Sequence, residues 1–178
     1  MNTQIEGATM NKTKRSLYIP AAILLASFLG VSAANAQNSC PYTLASLQGN
    51  YGVVGTYGAN IALAFATTQY DGYGNLSGQY LVNYPTPGST TGARTITTGS
   101  WTGTYTVNCN GTGQFHRFLT QASGATANQV DDFVILSAIT TFNGGLVATD
   151  FIDAQETPSA IVAGGVFLTR RQTRLPNQ

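Results

Sequence analysis

His116 is the single histidine of the chain and the side chain best suited to exchange a proton near neutral pH. It stands in Gln114-Phe115-His116-Arg117-Phe118-Leu119. Strand alternation puts Gln114, His116 and Phe118 on one face, and Phe115, Arg117 and Leu119 on the other. Neither face is cleanly apolar, so the pattern leaves open which one turns inward. The acids gather late, as Asp131, Asp132, Asp150, Asp153 and Glu156. Asp131 and Asp132 are neighbours and point to opposite sides of a strand. Asp150 and Asp153 also differ in parity, so neither pair makes an acid–base couple by itself. One of each pair can face inward, where burial raises a carboxyl pKa toward general-base range. The plainer expectation is carboxylates at strand ends paired with Arg170, Arg171 or Arg174. On these grounds His116, Asp132 and Asp150 are the catalytic candidates, and no ligand-binding residue is assigned.

Other chemistries lack their residues. No G-x-S-x-G elbow, H-E-x-x-H, C-x-x-C or phosphate-binding glycine loop is present. One histidine is too few for a protein-ligated zinc site within a monomer. Asp71-Gly72-Tyr73-Gly74-Asn75 superficially resembles a calcium loop, yet Asp71 is its only acid where calcium wants several carboxylates. A hairpin turn is the expected reading, and neither a metal nor a cofactor is expected.

The N-terminus reads as an export leader. Lys12, Lys14 and Arg15 form a basic stretch, and an apolar run follows from Leu17 to Val31. Ala34-Asn35-Ala36 then supplies small residues for a cleavage that would leave Gln37 first. The expected organisation is a signal peptide over 1–36 and a single domain over 37–178, secreted or periplasmic. Translation starting at Met10 rather than Met1 is equally consistent. The expected mature part keeps five Arg, no Lys and six acids, a formal charge of 5 − 6 = −1. That excludes the clustered basic surface nucleic acid requires. Cys40 and Cys109 are the only cysteines, and an oxidising compartment favours their pairing. A catalytic thiol is disfavoured because one histidine is the only activating base on offer.

The elements that must position these side chains are strands. Short runs rich in Val, Ile, Thr, Tyr and Phe alternate with Gly, Asn and Pro clusters, with no sustained helical period after Cys40. A short turn of helix is expected within Pro41–Leu47. Strands are expected near Gly49–Tyr57, Asn60–Tyr70, Leu76–Tyr84, Thr95–Val107, Gly113–Gln121, Val130–Thr141, Leu146–Ala154 and Ala160–Arg170. Eight consecutive antiparallel strands with short turns predict an all-β, up-and-down barrel, since closure removes unpaired edges. A two-sheet β-sandwich is the alternative. The pattern S-x-x-G-x-Y-x-V occurs at Ser46–Val53 and Ser100–Val107, with an echo at Gly78-Gln79-Tyr80. A glycine two places before a tyrosine suits tight curvature, the aromatic covering the missing side chain.

Three segments carry a resemblance. They are C-x-x-x-L-x-S-L-x-G-x-Y from Cys40 to Tyr51, D-G-x-G-N-x-x-G from Asp71 to Gly78, and G-x-Y-x-V-x-C-x-G-T from Gly103 to Thr112. In this order the chain resembles uncharacterised secreted bacterial small β-barrel proteins. The resemblance implies a calycin-like topology of the allene-oxide-cyclase and dirigent type. It implies no site residue.

Both faces of Asp132–Ile139 are apolar, and Leu146-Val147 and Phe151-Ile152 repeat the effect, which calls for a cover on the outer face. A homo-oligomer is one such cover. Insertion in a membrane is disfavoured by the paired cysteines, the basic polar tail Arg170–Gln178 and the small residues Ala62, Ala64 and Ala66. The expected function is binding of a small apolar or aromatic molecule in the barrel lumen. The alternatives are an isomerase or cyclase acting by substrate shaping, and a structural or surface-assembly protein of the envelope. Whether the chain is an enzyme is left undecided by its sequence.

Overall fold

Every strand finds its neighbour in chain order, and the last finds the first. The computed structural model describes residues 40–58, 61–162 and 164–176, and the expected leader lies outside them. A 3-10 turn over Leu44–Ser46 leads into β1 (Gln48–Tyr57), β2 (Ala62–Asp71), β3 (Asn75–Pro85) and β4 (Arg94–Val107). Then follow β5 (Thr112–Gln121), β6 (Thr126–Thr140), β7 (Leu146–Gln155) and β8 (Leu168–Arg174). All pairs are antiparallel, and β8 pairs with β1 from Tyr51↔Arg174 to Tyr57↔Leu168, closing the barrel. That pairing removes the sandwich alternative. Closure leaves no ladder edge to be covered.

Alternation sorts the side chains. Tyr51, Val53 and Tyr57 of β1 face inward, as do Tyr70 of β2 and Tyr80 of β3. On β5 the inward set is Phe115, Arg117 and Leu119, which answers the question the sequence left open. At the N-terminal end of β1 the interior is solid. There Tyr51, Tyr70, Tyr105, Phe115, Phe133 and Phe151 meet edge-on or tilted, their centroids mostly 5.3–5.9 Å apart, with Phe115 and Phe133 stacked at 4.4 Å. The 3-10 turn caps this end. The Tyr105 hydroxyl donates to the carbonyls of Leu44 and Leu47, and the Cys40–Cys109 disulfide ties the segment to the β4–β5 hairpin. A cross-link over 69 residues removes about 4 kcal/mol of unfolded-chain freedom in the entropy picture.

The glycine–aromatic repeat has a different geometry from the expected one. Gly78, the glycine of the repeat that a ring covers, lies under the residue directly opposite it on the neighbouring strand and not under the tyrosine two places on, and Gly99 and Gly113 follow the same rule; Gly49 instead meets the Arg174 side chain, and Gly103 meets the backbone of β5. The register pairs are Gly78↔Trp101, Gly99↔Tyr80 and Gly113↔Phe133, and in each the ring lies where a Cβ would stand. Two further pairs set Gly103 opposite Arg117 and Gly55 opposite Arg170. The missing side chains let large groups lie flat against the wall, as glycine rescue by a cross-strand partner requires.

Two boundaries differ from the expected ones. Strand β6 begins at Thr126 rather than Val130, because its inward positions there include the polar Gln129, which disguises the strand's period. Strand β8 begins at Leu168, not Ala160. In between, the Ser159 hydroxyl accepts the N–H groups of Ile161 and Val162 at 3.0 and 3.1 Å, and Gly164 and Gly165 take positive φ. Local bonds thus replace the ladder, and Val162 is turned into the core at the C-terminal end of β1.

Gly78→Ala would drive its methyl into the Thr67 carbonyl and the Trp101 indole nitrogen. We expect it to lower stability by about 2–3 kcal/mol. Gly145→Ala, which meets only the Thr141 hydroxyl at 3.5 Å, is expected to leave stability near the wild-type value. Urea unfolding midpoints of the two variants check the contrast.

Candidate functional site

Between the aromatic end and the loop-capped end, four charges cross the interior. They come from four consecutive strands: Arg117 from β5, Asp131 from β6, Asp153 from β7 and Arg170 from β8. All four are buried. Arg117 Nη1 pairs with Asp131 Oδ2, and Arg170 Nε pairs with Asp153 Oδ1 at 2.5 Å. Arg170 Nη2 reaches Asp131 Oδ1 at 2.5 Å, close in distance but off the line of a hydrogen bond. Gln129 Nε2 donates to Asp131 Oδ1 at 2.6 Å, and Gln172 Nε2 donates to Asp153 Oδ2. The Tyr70 hydroxyl completes the set by donating to Gln172 Oε1 at 2.9 Å. The Arg117 guanidinium lies over the Phe115 ring, 4.4 Å from its centroid, and 5.5 Å from that of Trp101.

Formal charge balances across the cluster, two cations against two anions. Burial pulls the Arg170 guanidinium toward its neutral form, but Asp153 and Asp131 together outweigh it and leave the group harder to deprotonate than in water. Burial also drives the tyrosines upward. Tyr51 is pushed up to about 12 by burial with Arg174 opposing, and Tyr105 to about 12 by burial. Tyr70, Tyr57 and Tyr80 shift the same way for the same leading reason.

Above this layer the barrel narrows to a void of about 10 Å³, bounded by Ala64, Ala66, Tyr80, Trp101, Gln129 and Arg170 and roofed by Ile161. That is room for one water molecule. Buried polar atoms around the charge layer remain without a hydrogen-bond partner among the described residues: Tyr80 Oη, Trp101 Nε1, Gln155 Nε2, Nε and Nη2 of Arg117, and Nη2 of Arg170. A buried unpaired donor costs about 1–3 kcal/mol. Such groups are commonly answered by an ordered water or a ligand.

The sequence candidates sit elsewhere. His116 is exposed on the outer face of β5, opposite Val130. Asp132 is exposed on β6, where Gln114 Nε2 bridges it to Glu156 at 3.3 and 2.6 Å. Asp150 pairs with Arg171, whose side chain is 68% exposed. The structure does not gather these three with the interior charges. It is their neighbours in sequence, Asp131 and Asp153, that turn inward. Asp71 is occupied by its own turn, accepting the Tyr73 and Asn75 N–H groups at 2.7 and 2.9 Å. Among the described residues no three metal-ligating side chains converge. Parity was the available signal: Arg117, Asp131, Asp153 and Arg170 share faces with Phe115, Phe133, Phe151 and Leu168.

Comparison with protein-family models, with curated proteins and with solved structures returns no match. The architecture is a closed antiparallel barrel of eight strands, in keeping with calycin-like barrels in general.

Two outcomes follow from the charge layer. Asp153→Asn strips a buried counter-charge from Arg170 and is expected to cost about 3–5 kcal/mol in urea unfolding. Asp132→Asn, on the exposed face, is expected to change stability by less than about 1 kcal/mol. With pH the sign is set by the tyrosines. Their folded pKa values lie above the ordinary value near 10, so the stability they contribute is complete below pH 10 and falls away toward about 12. Unfolding midpoints measured against pH should decline across that window. Tyrosinate absorbance of the folded protein should rise later than that of the unfolded chain.

Proposed function

We propose that this barrel is exported and binds a small apolar or aromatic molecule at its loop-capped end. The observation that carries the reading is the way that end is filled. The wall of β2 presents only Ala62, Ala64 and Ala66 inward, and the space before them is taken by Tyr80, by Trp101 and by a connecting loop, through Ile161 and Val162. A loop residue in a core is a plug that can be withdrawn without breaking a ladder. Returning Val162 to water costs about 1.5–3 kcal/mol, an amount an aromatic molecule of similar buried area offsets. The stacked pair Tyr80–Trp101, with centroids 5.2 Å apart and planes at 9°, would supply one flat wall of the site. The opposite end, solid with rings, would be the floor. The Cys40–Cys109 disulfide supports export, since such bonds persist in oxidising compartments.

A second reading, assembly through the outer face, is favoured by one row of register partners. Val54, Arg171, Ile152 and Val134 lie side by side across β1, β8, β7 and β6. Val54 and Ile152 are exposed there, at 52% and 42%. This reading needs no ligand.

Thermal unfolding with a panel of lipids and small aromatic compounds separates the two. The pocket reading expects at least one compound to raise the midpoint by about 3 °C or more, and Val162→Trp, which fills the same space, to abolish that shift. A panel with no shift, together with a dimer that dissociates on Val54→Lys, would replace it with the assembly reading.

A further inference from the structure

The charge layer leaves donors unanswered. Each Asp131 and Asp153 oxygen accepts one hydrogen bond, from Arg117, Gln129, Arg170 or Gln172, and the geometry brings no further donor onto them. What remains without a hydrogen-bond partner among the described residues is nearly all donor: the Trp101 indole N–H, the Gln155 amide, Nε and Nη2 of Arg117, Nη2 of Arg170 and Nε of Arg174, beside the hydroxyls of Tyr80 and Thr68. Trp101, Tyr80, Gln129 and Arg170 all line the water-sized void, the Trp101 indole nitrogen lying over Gly78 and the Tyr80 hydroxyl over Gly99. A hydrocarbon entering this space leaves those donors unanswered. A molecule carrying a lone-pair oxygen answers at least one.

Charge narrows the class further. Two guanidinium groups already face two carboxylates in a layer closed to solvent. An incoming carboxylate would add a fifth buried charge with no counter-charge left for it, the costly case for an ion in a low-dielectric site. A neutral carbonyl meets the donors and leaves the balance intact.

We infer that the lumen selects a neutral, carbonyl-bearing aromatic molecule, its oxygen directed at the Tyr80–Trp101 edge of the charge layer and its ring toward the alanines of β2. The inference rests on the loop-capped pocket proposed above.

Three probes of nearly equal size test it: acetophenone, ethylbenzene and benzoate. Each is titrated into the full exported protein while its thermal midpoint is followed. Acetophenone is expected to bind about tenfold more tightly than ethylbenzene, the worth of one good buried hydrogen bond, and benzoate is expected to give no shift. Tyr80→Phe removes a hydroxyl that has no partner, so the variant should fold as well as the wild type. In it the preference for acetophenone over ethylbenzene should shrink, the Trp101 N–H being left as the one donor of that edge. Equal binding of acetophenone and ethylbenzene in the wild type, or tightest binding of benzoate, would overturn the inference and leave the pocket standing. No shift with any of the three would also overturn the inference, and the wider panel would then decide the pocket by itself.

Discussion

Four buried charges constrain this barrel more tightly than its apolar core does. Apolar side chains tolerate exchange and small shifts of register, because one ring replaces another at little loss. A guanidinium or a carboxylate tolerates neither. Sliding β5, β6, β7 or β8 by one residue sends Arg117, Asp131, Asp153 or Arg170 to the outer face and leaves its partner unpaired inside. These four strands include the short closing strand β8, whose seven residues have few other means of finding their place. Ion pairs of this kind add little net stability over a well-packed apolar substitute. Their contribution is to make one pairing far better than its neighbours, and so to fix where the barrel closes.

The glycines serve the same constraint from the other side. A barrel of eight strands has an interior just wide enough for its side chains. Two arginines, a tryptophan and a ring from each remaining strand exceed that width unless some positions are empty. Gly55 and Gly103 stand opposite Arg170 and Arg117, while Gly78, Gly99 and Gly113 stand opposite Trp101, Tyr80 and Phe133. Charge layer and aromatic layer therefore use one packing rule: a large inward group against a neighbour with no side chain. The rule explains why Trp101, Tyr80 and Phe133 lie along the wall, while Tyr70 reaches across the lumen to Phe115 and Phe151.

Much of this was legible in the residues, and the failures have physical causes. Seven of the eight expected strands fall on observed ones, because the β-branched and aromatic runs are bounded by Gly and Asn turns that need positive φ, as at Gly72 and Gly111. The first part of the eighth is a loop. Ala160–Phe167 is as apolar as a strand, and nothing in that composition tells a ladder from a plug held by the Ser159 hydroxyl. The interior charges were hidden for a different reason. Exposed and buried acids look alike in a sequence, and only the parity of Arg117, Asp131, Asp153 and Arg170 with the apolar Phe115, Phe133, Phe151 and Leu168 hinted at burial. Cross-strand glycine cover was also out of reach, since it depends on register, whereas the pattern visible along one strand pointed to the wrong tyrosine.

The two ends of the barrel are built from unlike materials, and this asymmetry bears on what the protein does. The end near the N-terminus of β1 is anchored three times over, by interlocked rings, by the Tyr105 hydroxyl on the 3-10 turn and by the Cys40–Cys109 bridge. Opening it would break covalent, polar and apolar contacts together. The other end is held by a loop whose buried anchor is Val162; its own turn is closed by Ser159, and its backbone ties to the barrel include Gly58 N–H to the Phe167 carbonyl and Leu168 N–H to Gln155 Oε1. Local opening free energies follow the density of such contacts, so fluctuations concentrate at the loop end while the floor stays fixed. The charge layer lies between the two. It is rigid because its partners come from four strands, and it carries unanswered donors on the side that the loop can uncover.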